Sequence, residues 1–236
     1  MRGFVDYTYI CECMYNAGMP RRTKAEAEQT RNSLLDAAER LFQAQGVSRT
    51  SLLDIAQAAG ATRGAIYWHF KDKADLFNAM MERVILPLEE AGLDSEPDDS
   101  AEVRLQRLLH AVRQALHDTV HNLQTRRVFD IATHKVELTG ELWEVASRRE
   151  ERLRHSCLCM SQTLHAMSIA QGRQLPIPAD AAGVGLFALI DGLIASWLLS
   201  PDSFDLELTG HQAIENYLRG LGIVYEEPAS SDQGSP

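Results

Sequence analysis

The sequence has little of three things: positive charge, cysteine and aromatic side chains. Its 23 lysines and arginines stand against 33 aspartates and glutamates, a formal net charge of −10, which argues against a protein that coats nucleic acid non-specifically. The four cysteines form the pairs Cys11/Cys13 and Cys157/Cys159, and neither pair has C-x-x-C or zinc-site spacing, so we expect structural thiols in a reducing compartment. Aromatic residues make up only 7% of the chain, so an aromatic cluster would stand out.

The sequence also lacks the features of a secreted or membrane protein. Residues 1–18 contain no lysine and no contiguous apolar core of the signal-peptide type. One apolar run, 181–199, approaches membrane length, but Asp191 lies in its middle and no basic anchor flanks it. We therefore expect a buried or interface helix there, no contact with a membrane, and a cytoplasmic protein.

No alternating strand pattern is present, and the apolar residues instead recur at helical spacing. Capping residues and glycine stops divide the chain into about nine helices, which predicts an all-α protein. A capping box of Thr23 and Glu26 opens the first helix, and Pro87 is expected to bend or end the fourth. The predicted helices cover 23–46, 51–60, 62–69, 72–91, 100–120, 124–138, 141–171, 181–199 and 209–221.

Residues 61–70, ATRGAIYWHF, collect an arginine, a glycine and three closely spaced aromatics. They belong to two short predicted helices, 52–58 and 63–69, which a tight turn through Gly60 joins into a helix-turn-helix. The second helix is about 10 Å long, and its N-terminal half suits insertion into a DNA major groove about 12 Å wide. Residues 20–80 carry a net charge of +2, so this is the mildly basic part of an acidic chain.

The second short helix and its flanks carry the predicted DNA contacts. Thr62 and Arg63 lie at its N-terminal end, where they can reach base edges or phosphates, and Gly64 permits a close approach of the backbone. The hydroxyl, indole and imidazole groups that follow are phosphate donors, and lysines begin the next helix. The alternative is that the aromatics are ordinary core residues. The predicted DNA-binding set is Ser51, Thr62, Arg63, Gly64, Ala65, Tyr67, Trp68, His69, Lys71 and Lys73.

These motifs resemble a known family. The run RTSLLDIAQAAGATRGAIYWHFKDKADLF, at 49–77, is similar to the DNA-binding head of TetR-family transcriptional repressors, and residues 21–52 match the helix with which such heads begin. In the rest of the chain, RRVFDIATHKVE and DGLIASWLLSPDSFDL resemble the branch of the family that includes the acridine-resistance regulator and its multidrug-efflux relatives.

The resemblance implies a two-domain helical repressor. It predicts a TetR-type DNA-binding domain at 19–80, a ligand-binding and dimerisation domain at 81–222, and a disordered tail at 223–236. Residues 1–18 have no counterpart in the family, so we expect Met19 to be the working start. The implied function is repression of a multidrug-efflux operon by a homodimer, which binds double-stranded operator DNA at an inverted repeat and is released by a hydrophobic small molecule.

The resemblance places an induction pocket among the middle helices and dimerisation in the last two. Asp191 is the sharpest pocket candidate, because a carboxylate in an apolar run must be paired, hydrated or neutral. It either faces the cavity, as an acceptor for a cationic or hydroxylated drug, or is a structural acid bonded to a neighbouring helix. The predicted pocket residues are Phe129, Thr133, His134, Ile190, Asp191 and Trp197, and the predicted interface residues are Leu186, Leu193, Ile214, Tyr217, Leu218 and Leu221.

Two other classes of function stay open. One is a DNA-bound regulator that answers to a protein partner or a nucleotide. The other is a helical metal hydrolase that uses the histidines of the middle helices. The sequence has neither H-E-x-x-H nor paired Glu/His sets on facing helices, so we expect no enzyme activity, no metal and no cofactor. The hydrolase candidates are His110, His117, His121, His134 and Glu137.

Overall fold

The computed structural model describes residues 24–92, 99–137, 140–201 and 203–225, and every regular element within them is helical. The extension at 1–18, the start at Met19, the cap at Thr23 and residues 226–236 of the predicted tail lie outside the described residues. The predicted start of the tail is wrong, because Ile223 is 1% exposed and belongs to the core. The helices are α1 (Lys24–Gln45), α2 (Leu52–Ala58), α3 (Arg63–His69), α4 (Lys73–Gly92), α5 (Ala101–His121), α6 (Leu123–Asp130), α7 (Trp143–Ala170), α8 (Ala179–Leu199) and α9 (Leu206–Gly220).

The fold class is confirmed, and the structure corrects three details of the predicted helices. Helix α4 continues past Pro87 to Gly92. The predicted sixth helix changes winding, because α6 gives way to a π-helical turn at Ile131–Lys135, hereafter the π segment. Helix α9 begins three residues before the predicted position, because the Asp205 carboxylate accepts a hydrogen bond from the Leu208 N–H at 2.9 Å and caps it.

Side-chain caps fix the boundaries of the helix-turn-helix. The Ser51 hydroxyl accepts a hydrogen bond from the Asp54 N–H at 3.2 Å, and the Asp54 carboxylate accepts one from the Ser51 N–H at 2.9 Å, which completes a capping box. The Ser51 hydroxyl also donates a hydrogen bond to the Asp54 carboxylate at 2.7 Å, and this bond, together with the one from the Ser51 N–H, lowers the pKa of Asp54. Thr62 caps α3 through the Ala65 N–H, and Asp72 caps α4 through the Asp75 N–H.

The buried side chains form two clusters that meet in the middle of the molecule. The first lies among α1 to α4 and extends into α6 and α7 through residues such as Val128 and Val145. The second lies among α5, α7, α8 and α9. Phe129 packs against both clusters. The N-terminal helices therefore share their core with α6 and α7, so a shift of α6 changes the packing of both clusters.

Helix α8 is long and apolar enough to cross a membrane by length and composition alone. In this fold, however, its inner face packs into the second cluster through Leu186, Ile190 and Trp197. It also lies very close to α7, because a Cβ added at Gly183 would be 2.5 Å from the Cys157 carbonyl oxygen. That close approach requires glycine and fixes α8 as part of the helical body.

Candidate functional site

The predicted helix-turn-helix is present, and its second helix faces outward. Helices α2 and α3 pack through Ile55 and Ile66, both completely buried. Gly60 makes the turn between them with a φ of +65°, a left-handed conformation that favours glycine. The opposite face of α3 is therefore available for a partner outside the molecule.

That outward face carries the aromatic side chains. Trp68 is 73% exposed and Tyr67 is 48% exposed, which removes the alternative that they are core aromatics. The Arg63 guanidinium carbon lies 5.9 Å from the centre of the Tyr67 ring, and Trp68 meets the His69 ring edge to face at 4.5 Å. Exposed aromatics that support one another and an arginine form a surface suited to phosphate and base contacts.

The predicted DNA-binding residues have different environments. Gly64 lies in the open, since a Cβ there would approach nothing closer than the Thr62 hydroxyl at 4.0 Å. The Lys71 side chain is 76% exposed and lies 3.6 Å from Asp72. The exposed members of the set are Ser51, Thr62, Arg63, Gly64, Tyr67, Trp68 and Lys71, and the half-buried members are Ala65 and His69.

Lys73 corrects the predicted set. It is only 7% exposed, and its ammonium group donates hydrogen bonds to the carbonyl oxygens of Ser48 and Thr50 at 3.3 and 3.1 Å. A lysine held in this way fixes the loop that precedes α2 and does not present its charge to a partner. Sequence reasoning missed this role, because a lysine in the first turn of a helix after a basic motif is usually exposed.

A cavity of about 510 Å³ lies behind the helix-turn-helix. Its walls come from five helices and the π segment, and they are mostly apolar. Phe77, Asn78 and Met81 of α4 form the wall on the side of the helix-turn-helix. The remaining walls include Leu108, Val112, Phe129, Ala132, Thr133, Met160, Phe187, Ile190, Asp191 and Ile194.

Four of the six predicted pocket residues line this cavity, namely Phe129, Thr133, Ile190 and Asp191. His134 does not, because its imidazole Nδ1 pairs with the Asp130 carboxylate at 3.0 Å. Trp197 does not either, since it is buried beneath the Arg126 guanidinium, 4.7 Å from the ring. The π turn has one residue more per hydrogen-bonded ring than an α-helix, so positions after Asp130 cannot be assigned by helical spacing.

Asp191, Glu150 and a group of arginines give the cavity its charge. Asp191 lies at the cavity and is exposed to solvent, so its carboxylate is hydrated rather than buried. Sequence reasoning missed Arg148, Arg149 and Arg152 of α7, which also line it. Arg149 donates a hydrogen bond to the Ala132 carbonyl of the π segment at 2.8 Å. The signal that could have found them is the spacing of Arg152, which lies four residues after Arg148 and three after Arg149 and so shares a helix face with each.

Two polar contacts connect the cavity walls with the N-terminal helices. The backbone N–H of Val47, in the loop after α1, donates to the Lys135 carbonyl of the π segment at 3.0 Å. Glu39 of α1 is 2% exposed and accepts hydrogen bonds from Arg83 of α4 and Gln124 of α6, at 3.2 and 2.9 Å. Burial raises the pKa of Glu39, although the Gln124 hydrogen bond and the Arg83 charge lower it.

The predicted interface residues face inward. Leu186 and Leu218 are completely buried in the protomer, and Ile214 and Leu221 are each 5% exposed. The Tyr217 hydroxyl donates to the Ala182 carbonyl at 2.8 Å. Leu193 is half-buried and packs against the second cluster. Leu186, Ile214, Leu218 and Leu221 are therefore core positions rather than interface positions, whereas the half-buried Leu193 and Tyr217 stay predictions. On α8 the error arose because the helix is apolar all round, so its sequence does not distinguish the face toward the other helices from the face toward solvent.

The histidines do not assemble as the hydrolase alternative requires. His134 is paired with Asp130. The hydrolase alternative grouped His117 and His121 with Glu137, but both histidines contact Glu207 of α9. His110 lines a shallow cleft beside His117.

Comparison with known proteins gives a consistent result. The family model described as "Bacterial regulatory proteins, tetR family" matches residues 34–80, and that of the "MAATS-type transcriptional repressor, C-terminal region" matches residues 104–223. The chain is 40% identical over 192 residues to the HTH-type transcriptional regulator AcrR of Shigella flexneri, covering 80% of this chain and 87% of AcrR.

Two solved structures share the fold. NalD, the secondary repressor of the MexAB-OprM multidrug efflux pump in Pseudomonas aeruginosa, is similar with a TM-score of 0.74 and 36% identity, over 84% of this chain and 98% of NalD. The complex of SmeT from Stenotrophomonas maltophilia with triclosan is similar with a TM-score of 0.73 and 26% identity, over 88% of this chain and 99% of SmeT.

Proposed function

Since the chain belongs to the tetR family of bacterial regulatory proteins, we propose that it represses a multidrug-efflux operon and that a hydrophobic small molecule releases it from its operator. Family membership confirms the resemblance that the motifs of both halves indicated. The description of NalD as a repressor of an efflux pump supports the efflux assignment. The observation in this chain that carries the proposal is the outward face of α3, where Tyr67 and Trp68 stay exposed.

Helix α3 is the proposed recognition helix. Its N-terminal end, with Arg63 and Gly64, enters the major groove, and Tyr67 and Trp68 meet the flanking phosphates. Lys71 adds an exposed charge near the same DNA strand, while buried Lys73 holds the loop before α2 in place. Two such heads on a two-fold axis read an inverted repeat whose half-sites lie about 34–36 Å apart.

The proposed inducer is a hydrophobic molecule with one polar group. A cavity of about 510 Å³ is of the size that encloses a drug-sized ligand, and its walls are mostly aliphatic and aromatic. Asp191 offers an acceptor for a cationic or hydroxylated group. The complex of SmeT with triclosan, an aromatic molecule, supports this choice of ligand class.

We propose two routes by which a ligand in the cavity moves the helix-turn-helix. The first is α4, which runs from the end of the helix-turn-helix to the cavity wall at Phe77 and Met81. The second is the π segment, which lines the cavity through Thr133 and bonds to Val47 through the Lys135 carbonyl. A ligand that moves either element changes the spacing of the two heads. Weakening operator binding 10- to 100-fold needs about 1.4–2.7 kcal/mol of coupling, a typical allosteric value.

Dimerisation through α8 and α9 uses the faces that the protomer leaves exposed. Val184, Leu199 and Leu208 are exposed to 54%, 76% and 54%. Ala188 and Gly192 lie between them along α8, are exposed, and are small enough for a second helix to approach closely. This outer face, defined by Val184, Ala188, Gly192, Leu199 and Leu208, replaces the inward-facing set predicted from the sequence. An isologous contact between two copies of it gives a four-helix interface.

We propose that the protein acts on DNA in the cytoplasm and catalyses no reaction. Its operator is found by selecting bound duplexes from a random pool, followed by fluorescence anisotropy at fixed salt. We expect enrichment of an inverted repeat. Failure to enrich any sequence over non-specific DNA would refute the repressor assignment.

Induction is tested by calorimetry with hydrophobic drugs and dyes, in the presence and absence of operator. We expect operator DNA to weaken ligand binding by the factor by which the ligand weakens operator binding, because the coupling is reciprocal. Equal ligand affinity in both titrations would remove the induction mechanism. If no small molecule binds, the alternative of a regulator that responds to a protein or a nucleotide gains support.

A further inference from the structure

Three side chains from two helices meet at the surface between α5 and α9. His117 and His121 lie one turn apart on α5, with ring centres 4.3 Å apart. Glu207, in the first turn of α9, reaches both of them: its two carboxylate oxygens lie 3.2 Å from His117 Nδ1 and 2.6 Å from His121 Nε2. All three donor atoms lie within 4.8 Å of one another.

The donors suit a divalent transition metal. Zn²⁺ binds imidazole nitrogen and carboxylate oxygen at about 2.0–2.2 Å, so two ligands of a tetrahedral site lie about 3.4 Å apart. The 3.2 Å between His117 and Glu207 is on this scale, whereas the 2.6 Å between His121 and Glu207 is a hydrogen-bond distance that a bound metal must widen. The three side chains are half-exposed, which leaves them room for that adjustment. Two histidines and one glutamate are also a known set of three zinc ligands, which leaves a fourth position for water.

A simple ion pair explains the cluster less well. An exposed histidine–glutamate pair contributes little to stability, because water screens it and both side chains lose freedom. One carboxylate that contacts two neighbouring imidazoles, whose planes are tilted by 40°, is more organised than such a pair requires. The i,i+4 spacing on α5 also directs both rings to the same point, as in helical metal sites.

We propose that His117, His121 and Glu207 form a binding site for a divalent transition metal of the Zn²⁺ type, separate from the ligand cavity. The metal joins α5 to α9. Helix α5 also lines the cavity through Leu108 and Val112, and α9 carries Leu208 of the proposed dimer face. A bound metal therefore stiffens the connection between the cavity wall and the dimer interface. Sequence reasoning expected no metal, because the third ligand lies 86 residues from His121.

The test uses the full chain, stripped with a chelator and titrated with Co²⁺, which substitutes for Zn²⁺ and has visible absorption bands. We expect one tetrahedral Co²⁺ per protomer, without a thiolate-to-metal charge-transfer band, and a higher Tm with Zn²⁺ because only the native state holds the site. His117→Ala with His121→Ala should abolish binding. Glu207→Gln, which keeps the size of the side chain, should weaken it at least tenfold.

Two controls make the result decisive. His110→Ala removes a histidine from the same helix and the neighbouring cleft, and should bind Co²⁺ as tightly as the wild type. Cys159, whose sulfur lies 3.6 Å from His155 Nε2, is the competing donor, so a Cys157→Ser/Cys159→Ser variant should also bind normally. The proposal is overturned if the wild type binds no metal, if a thiolate band accompanies binding, or if the double histidine variant binds as the wild type does.

Discussion

The head (α1 to α3 and the first turns of α4) and the body (the helices that follow) use aromatic residues in opposite ways at their recognition surfaces, although Phe42 and Phe70 of the head are buried and Trp143 of the body is 63% exposed. In the head, Trp68 and Tyr67 stand on the outside of α3, exposed to 73% and 48%. In the body, Phe129 and Phe187 turn inward around a cavity, and Trp197 is 5% exposed. An outward surface fits a large, stiff partner such as DNA, whereas an inward one encloses a small molecule. The same residue type thus serves two kinds of recognition, and exposure distinguishes them.

The two regions are not mechanically independent. The core of the head continues into α6 and α7, and Glu39 and Val47 bond directly to residues of the body. Those contacts lie within two turns of the residues that line the cavity. A ligand therefore needs no long pathway to reach the head, and small shifts of α6 suffice because packed cores switch rather than deform.

The largest expected effect is the difference between a charge placed on the inner face of the body helices and one placed on their outer face. Leu218→Glu places a charge at a completely buried position of α9, so we expect the body to unfold, at a cost of several kcal/mol. Val184→Glu changes the exposed face of α8 and should leave a folded protomer that no longer dimerises. Circular dichroism melts and light scattering distinguish the two outcomes. A folded monomer from Leu218→Glu, or a dimer from Val184→Glu, would contradict the proposed interface.

The next effect concerns the outward face of the head. Arg63→Ala and Tyr67→Ala should each weaken operator binding by about 1–3 kcal/mol, roughly 5- to 150-fold, while Tm stays within about a degree or two. Arg154→Ala is the matched control, since Arg154 is exposed on α7 and pairs only with neighbouring glutamates among the contacts described. Anisotropy at matched salt is the measurement. Wild-type affinity in both head variants would refute α3 as the recognition helix.

Two lysines two residues apart sharpen the comparison further. Lys71→Ala should flatten the salt dependence of binding by about one unit and leave stability unchanged, because its charge is exposed. Lys73→Ala should leave the salt slope unchanged and cost about 1–3 kcal/mol of stability, because two loop carbonyls lose their donor. The pair is compared by urea unfolding and by binding at several salt concentrations. The reverse pattern would show that Lys73 is the phosphate contact.

The sequence predicted the head better than the body for a physical reason. The helix-turn-helix is local: its caps, its turn glycine and the Arg63–Tyr67 face lie within a few residues of one another. The prediction for Lys73 failed because its hydrogen-bond partners are backbone carbonyls 23 and 25 residues away. In the body, the π segment broke the helical register at His134, and the uniform apolarity of α8 hid which face is inside. Non-local packing decided the errors at Lys73 and on α8, whereas the error at His134 is local, because its partner Asp130 is four residues away.

The smallest expected effect lies at the junction of head and body and depends on pH. Burial raises the pKa of Glu39 above its ordinary value of 4.5, so ionisation of this group opposes folding. Its favourable contribution is fully present below the unfolded pKa and is lost as pH rises through the folded pKa. The wild type should therefore lose stability relative to Glu39→Gln as pH rises from below 4.5, and the difference should level off once Glu39 is ionised.

Guanidinium unfolding of the wild type and Glu39→Gln from pH 4 to pH 7 measures this difference, with Glu28→Gln on the exposed side of α1 as the control. The opposite slope, in which the wild type gains on Glu39→Gln as pH rises, would show that attraction to Arg83 and Arg127 exceeds the cost of burial. Glu39 would then be a strong electrostatic clamp between α1, α4 and α6. The expected slope instead makes Glu39 a weak clamp, because part of the energy of its ion pairs offsets the cost of desolvating its carboxylate. A weak junction suits a switch, since a bound ligand has less to overcome when it moves α6 against the head.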